Sequence, residues 1–138
     1  MPWTESASVE LLRLSARGLA DAAGATTAAE RYAAAHLAAL RAAAAVLADR
    51  ARPAGRTRRR PSSVWVLLPA VAPELGEWSA FFAAGATKRS AAEAGLRVVT
   101  AREADDLVRD AATFLALVET TLGLVHQPAF ESSYPLTG

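Results

Sequence analysis

Residues 27–53 read TAAERYAAAHLAALRAAAAVLADRARP, and this stretch dictates the architecture around it. Thr27 and Glu30 are spaced as in a capping box, and neither glycine nor proline occurs before Pro53. Apolar residues recur at spacings of three and four from Ala33 to Leu47, which predicts one long helix with an apolar seam. The alanine around its circumference indicates that neighbouring helices approach closely.

A helical segment is also predicted on the N-terminal side, over about residues 6–23. Its apolar stripe repeats at spacings of three and four and consists of Val9, Leu12, Ala16, Leu19 and Ala23. Gly24 follows directly, and we expect it to end the helix with a positive φ angle.

Two further helical segments follow on the C-terminal side. The third begins near Val64, and because Pro69 and Pro73 each remove a backbone donor, we expect a kink, or a short helix followed by a longer one. The longer part has a predicted buried face of Leu75, Trp78, Phe81 and Phe82. The fourth opens with a second capping box, Thr100 to Glu103. Its apolar stripe is Ala104, Leu107, Ala111, Phe114, Leu115, Val118 and Leu122.

The composition agrees with a helical protein. Of the 138 residues 35 are alanine, which favours helix, and there is no cysteine, which excludes disulfides and thiolate chemistry. We therefore predict an all-α, four- to five-helix up-and-down bundle with a kinked third helix, forming one domain over residues 1–123. Residues 124–138 show no period and are expected to be a loosely ordered tail. No signal peptide or membrane-spanning run is recognisable, so a cytoplasmic protein is expected.

The charge is unevenly distributed, although the net charge is only +1. The predicted loop over residues 50–61 has no acidic residue and carries six arginines: Arg50, Arg52, Arg56, Arg58, Arg59 and Arg60. Arginine makes planar, bidentate contacts with phosphate, which makes this loop a candidate nucleic-acid-binding segment. The alternative is a solvated loop with no partner.

Few residues suggest catalytic chemistry. No nucleophile elbow, phosphate loop or metal-ligand spacing is present, so neither a cofactor nor a metal is predicted. Four acids cluster at Glu103, Asp105, Asp106 and Asp110. We interpret them as complementing the helix dipole, with Asp106 pairing with Arg102 and Arg109 across one turn.

Arg31 and His36 form the one site-like constellation. His36 lies beside the apolar seam, where it is either a core histidine with one satisfied nitrogen or a proton-transfer group next to a phosphate held by Arg31. Residues five apart on a helix point about 140° away from each other, because each residue turns the helix by roughly 100°. The functional interpretation therefore requires the Arg31 side chain to swing around the first helical turn.

Three blocks of the chain resemble a known family. They are residues 31–47 (RYAAAHLAALRAAAAVL), 63–78 (SVWVLLPAVAPELGEW) and 101–110 (AREADDLVRD). They are similar to a small stand-alone HEPN-domain family of high-GC Gram-positive bacteria, and the similarity covers most of residues 8–122. The resemblance implies a helical bundle, often a homodimer.

Many HEPN proteins are metal-independent endoribonucleases whose site is an arginine followed four to six residues later by a histidine. Arg31 and His36 have four residues between them and match that motif, which implies that His36 is the general base and that Arg31 stabilises charge on the phosphate. The match departs from the family pattern because the motif opens the second helix here and is followed by Tyr32. Two hypotheses follow: an RNA-binding HEPN domain with metal-independent endoribonuclease activity, or a non-catalytic helical adaptor that dimerises or binds a protein partner.

Overall fold

The computed structural model of the protein describes residues 6–50 and 61–123. Within these ranges the chain forms six α-helices and one 3₁₀ turn, with no strand. The helices are α1 (Ala7–Ala23), α2 (Ala28–Arg50), α3 (Pro61–Val71), α4 (Gly76–Ala84), α5 (Ala86–Glu93) and α6 (Ala101–Thr121), and the turn is Pro73–Leu75. The predicted all-α bundle is confirmed.

The long helix α2 lies at the centre and packs against α1, α3, α5 and α6. Its buried residues are mostly alanine, and Ala35, Ala39, Ala42, Ala43 and Ala45 are completely inaccessible to solvent. Because alanine fills little space, the neighbouring backbones come close. Ser15 of α1 donates a 2.7 Å hydrogen bond from its hydroxyl to the carbonyl of Ala38, and a Cβ on Gly18 would lie 3.4 Å from the Cβ of Ala38.

Two predictions for α1 are wrong. The buried face is Ser8, Leu12, Ser15 and Ala22, whereas Ala16 and Ala23 of the predicted stripe are exposed. Serine can be buried here because Ser15 finds an acceptor on α2. Gly24 has a φ of −93°, so it ends α1 without entering the left-handed region, and its amide bonds to carbonyls of the last turn.

The predicted kinked third segment is divided into α3, the 3₁₀ turn, α4 and α5. Pro69 lies inside α3, which continues to Val71, and Pro73 is the first residue of the 3₁₀ turn, where its missing donor costs nothing. Gly85 separates α4 from α5. A Cβ at Gly85 would lie 2.8 Å from Tyr32 Oη, so glycine allows α2 to approach this break.

Helix α6 follows the prediction closely. Thr100 and Glu103 form a complete capping box, and the predicted stripe is buried from Ala104 to Val118. Phe114 of this helix meets Trp65 of α3 and Phe82 of α4 at ring-centroid distances of 6.2 and 5.1 Å. These three rings form the centre of an aromatic core between α3, α4 and α6.

Some predictions fall outside the described residues. They concern most of the arginine loop and the tail over residues 124–138. The assignment of residues 1–123 to one domain stays a prediction. Among the described residues, no helix has both the length and the apolar character needed to cross a membrane.

Candidate functional site

Arg31 belongs to the first turn of α2, and its guanidinium group lies against the C-terminal end of α1. Its Nε donates a 3.1 Å hydrogen bond to the carbonyl of Ala22, and its Nη2 donates a 2.9 Å bond to the carbonyl of Ala25. Its Nη1 forms a 2.8 Å ion pair with Asp105 of α6. The guanidinium therefore satisfies carbonyls at the C-terminal end of α1 and connects that end to α6.

His36 is part of the core, with an exposed fraction of 1%. Its Nε2 lies 2.7 Å from the carbonyl oxygen of Phe82, and because a carbonyl only accepts, this nitrogen is the donor. Nδ1 is buried and has no partner among the described residues. The ring lies 6.0 Å from that of Trp65 and 5.9 Å from that of Phe82, measured between centroids.

Burial lowers the pKa of His36 below its ordinary value of 6.5. The hydrogen bond to Phe82 and the charge of Glu93 oppose this shift, whereas the charge of Arg89 adds to it. The imidazole is therefore neutral near pH 7, with its Nε2 proton committed to the carbonyl of Phe82.

The structure does not bring Arg31 and His36 together at one ligand. Arg31 contacts the end of α1 and Asp105 of α6, whereas His36 contacts α4 on another side of α2. This separation follows the 100° turn per residue of a regular helix. Both side chains already have structural partners.

Of the six arginines predicted to bind nucleic acid, Arg50 is the one within the described residues. Its Nη1 bonds to the carbonyl of Val71 at 3.1 Å and to Glu74 at 3.1 Å, which joins the end of α2 to the end of α3. The other five lie outside the described residues: Arg52, Arg56, Arg58, Arg59 and Arg60. Their role in nucleic-acid binding stays a prediction.

An open aromatic surface lies on α4. The sequence places Phe81 on the buried face, but this prediction is wrong, since 46% of Phe81 is exposed while Phe82 is fully buried. Phe81 lines two adjacent cavities. The larger, of about 350 Å³, is lined by Glu77, Trp78, Phe81 and Asp110, and we call it the α4 groove.

The second cavity, of about 250 Å³, is also lined by Phe81. It is lined by Tyr32, His36, Phe81, Phe82, Ala84, Gly85, Lys88 and Leu107. Burial raises the pKa of Tyr32, and the nearby Lys88 opposes that shift. Lys88 forms a 2.6 Å ion pair with Glu103, which raises the pKa of Lys88 and lowers that of Glu103.

The acidic cluster divides into paired and unpaired residues. Asp105 pairs with Arg31, and Glu103 pairs with Lys88. Asp106 pairs with both Arg102 and Arg109, as predicted from the sequence. Asp110 has no ion pair with a described residue. Burial raises the pKa of its carboxyl, and the charge of Asp106 raises it further, against the opposing charge of Arg109.

Sequence reasoning missed the α4 groove, although a signal was available. Phe81 and Phe82 are consecutive, and side chains one residue apart on a helix point about 100° away from each other. Both could not occupy one narrow buried face. No group of histidine and acidic residues that could hold a metal ion is found in residues 6–50 and 61–123.

The six helices of the described residues define an all-helical bundle with α2 at its centre, and the α4 groove lies on its surface. A family model described as SAV_6107-like HEPN matches residues 22–119, which is well over half of the chain. The protein therefore belongs to the HEPN family, as the resemblance implied. A search of curated proteins and a search of solved structures gave no match.

Proposed function

We propose that this HEPN protein is a binding module that docks a protein partner on α4. The observation that carries the proposal is Phe81, an aromatic side chain 46% exposed between two cavities of about 350 and 250 Å³. Exposed aromatic residues beside concave surfaces are typical of protein interfaces. Val66 and Leu67 of α3 are also exposed.

The arrangement around Arg31 and His36 supports binding rather than catalysis. A general base needs access to substrate and a pKa near the working pH, whereas His36 is buried and its pKa is lowered. A phosphate would have to compete with three backbone and carboxylate partners of Arg31.

The endoribonuclease hypothesis for Arg31 and His36 stays a prediction with a direct test. End-labelled, partly single-stranded RNA is incubated without added metal with wild type and with His36→Gln, and the products are resolved on a denaturing gel. Glutamine retains a donor for the carbonyl of Phe82. We expect no cleavage by either protein; cleavage by wild type alone would overturn the binding-module proposal.

The docking proposal is tested with a library of random peptides displayed on phage. Peptides are selected on wild type and measured again on Phe81→Ser, with Ala80→Ser as the matched control at the neighbouring exposed position of α4. We expect selected peptides to bind Phe81→Ser at least about tenfold more weakly, because a buried aromatic anchor typically carries that much of an interface. Selected peptides that bind all three proteins equally would contradict the proposal.

The homodimer implied by the resemblance is a competing use of the same surface. Light scattering on wild type and Phe81→Ser separates the two cases. We expect the two proteins to have the same mass in solution. A wild-type dimer that Phe81→Ser dissociates would assign the surface to a second copy of the chain and overturn the proposal of a different partner.

A second candidate function is RNA binding through the arginines of residues 50–60. The observation that favours it is the density of charge, six arginines and no acid. Each phosphate contact on a single strand adds about 0.7 to the slope of log affinity against log salt. We expect Arg58, Arg59 and Arg60 changed together to serine to lower the RNA affinity and the salt slope. Arg17, Arg97 and Arg102 changed to serine are the control for lost charge, and equal effects of the two triple variants would contradict a specific segment.

A further inference from the structure

The walls of the α4 groove combine two aromatic rings with two carboxylates. The rings of Trp78 and Phe81 stand at 90° to each other, with centroids 6.3 Å apart. Glu77 and Asp110 complete the lining. Phe81 is exposed on the groove, and Trp78 is supported from the core by a stacked contact with Phe82 at 5.9 Å.

Neither carboxylate has a cation partner among the described residues. This distinguishes them from their neighbours, because Glu74 pairs with Arg50 and Asp106 pairs with Arg109. Arg109 directly precedes Asp110 in sequence but its guanidinium bonds to Asp106. The groove therefore presents two carboxylates that form no ion pair with a described residue, next to apolar surface.

We infer that the α4 groove is a receptor for an arginine side chain of the protein partner. This inference rests on the proposed docking function and specifies its chemistry. A cation is attracted both to the face of an aromatic ring and to a carboxylate, and the groove offers both. Phosphate is excluded by the same charge, so this surface does not suit RNA.

Arginine fits the lining better than lysine. Its guanidinium is planar, stacks on an indole or phenyl face, and presents a fork of donors to a carboxylate. The ammonium of lysine is a compact and strongly hydrated charge that gains less from the two rings. Burial and the charge of Asp106 raise the pKa of Asp110, and the charge of Arg109 opposes this shift.

The experiment uses N-acetyl-arginine amide as the probe and N-acetyl-citrulline amide as its neutral counterpart of nearly the same shape. Binding is followed by ¹H–¹⁵N NMR on the tryptophan indole signals, with that of Trp78 assigned from Trp78→Phe. Trp65 is 5% exposed and is the internal reference. We expect a saturable shift of the Trp78 signal with the arginine probe and binding about tenfold weaker for the citrulline probe, since charge-assisted hydrogen bonds are roughly twice as strong as neutral ones.

Variants locate the effect in the groove. Asp110→Asn and Glu77→Gln should each weaken binding of the arginine probe by about tenfold, and Glu10→Gln on α1 should leave it unchanged. Equal binding of the arginine and citrulline probes, or no shift of Trp78 with either, would overturn the inference. Equal effects of the three variants would also overturn it.

The phage selection separates this inference from the function on which it rests. If the selected peptides depend on Phe81 and share an arginine, both proposals are supported. If they depend on Phe81 but contain no basic residue, the docking function stands and the arginine receptor is wrong. If none depends on Phe81, the docking function itself fails.

Discussion

Phe81 and Phe82 are neighbours on α4 with opposite surroundings. Phe82 is fully buried against Trp65, Trp78 and Phe114, and its carbonyl accepts the bond from His36. Phe81 is 46% exposed between two cavities. The inner face of α4 is thus packed against other helices, whereas Phe81 on its outer face is partly open to solvent.

This difference teaches where function can reside in a small bundle. Ser79 donates a 2.6 Å bond to the carbonyl of Trp65, and His36 donates to that of Phe82, so the polar atoms facing inward hold helices together. A polar group committed in this way cannot serve a ligand without loss of stability. On this basis the side chains that a partner can contact are those that line the α4 groove, among them Phe81, Trp78 and Asp110.

The largest expected effect is on the two phenylalanines themselves. Phe82→Ala should lower the free energy of unfolding by about 3–5 kcal/mol, because a large side chain is removed from a packed core. Phe81→Ala should change it by less than about 1 kcal/mol, since much of that ring remains in water. Urea unfolding followed by circular dichroism measures both. Equal losses would break the comparison of the two faces.

His36 provides the next effect. His36→Ala removes the donor of the buried carbonyl of Phe82 and should cost about 1–3 kcal/mol of unfolding free energy. His36→Gln should recover part of this loss because an amide can donate to the same carbonyl. The measurement is the urea midpoint of the three proteins. A His36→Ala protein as stable as wild type would mean that the inner face does not depend on this bond.

Arg31 is expected to contribute less. Arg31→Ala leaves the carbonyls of Ala22 and Ala25 without their side-chain donor and should cost about 1–2 kcal/mol. Asp105→Asn removes only the exposed ion pair and should cost less than about 1 kcal/mol. Thermal unfolding of both variants sharpens the distinction between a helix-end contact and a surface pair. The reverse order of the two losses would show that the ion pair is the main contribution.

The smallest effect is a pH dependence. Because the pKa of His36 is lowered in the folded protein, the stability from this group is present above its ordinary value of 6.5 and is lost as the pH falls through the lowered value. Wild type should therefore lose more stability between pH 7.5 and 5.5 than His36→Gln, which does not titrate. Arg89 and Glu93 are the charged groups acting on this histidine, and both are retained in the two proteins. Parallel pH profiles would contradict the lowered pKa.

The helices were predictable because their signals are local. Thr100 and Glu103 define the start of α6, and the spacing of its apolar residues defines the buried stripe. The same reasoning failed on α1, because apolar periodicity does not reveal that Ser15 has an acceptor on α2. The buried face of an alanine-rich helix is especially hard to predict, because alanine occurs on both buried and exposed faces.

The candidate site was less predictable than the fold. The spacing of Arg31 and His36 is visible in sequence, but their partners, Asp105 and Phe82, are distant along the chain and become known only from packing. The α4 groove joins residues 77–81 to Asp110 of another helix, so no local pattern contains it. A sequence can suggest which residues are chemically able to catalyse a reaction or bind a ligand. The packing determines which of those side chains remain accessible to a substrate or partner.

The break between α4 and α5 has a consequence for how this chain can change. A Cβ at position 85 would lie 2.8 Å from Tyr32 Oη, so the Tyr32 side chain would have to shift to admit it. If Tyr32 were phenylalanine, the obstructing oxygen would be gone and alanine could be accommodated at position 85. Positions 32 and 85 are thus coupled through one oxygen atom. Relatives that have another residue in place of Gly85 should also lack the phenol of Tyr32.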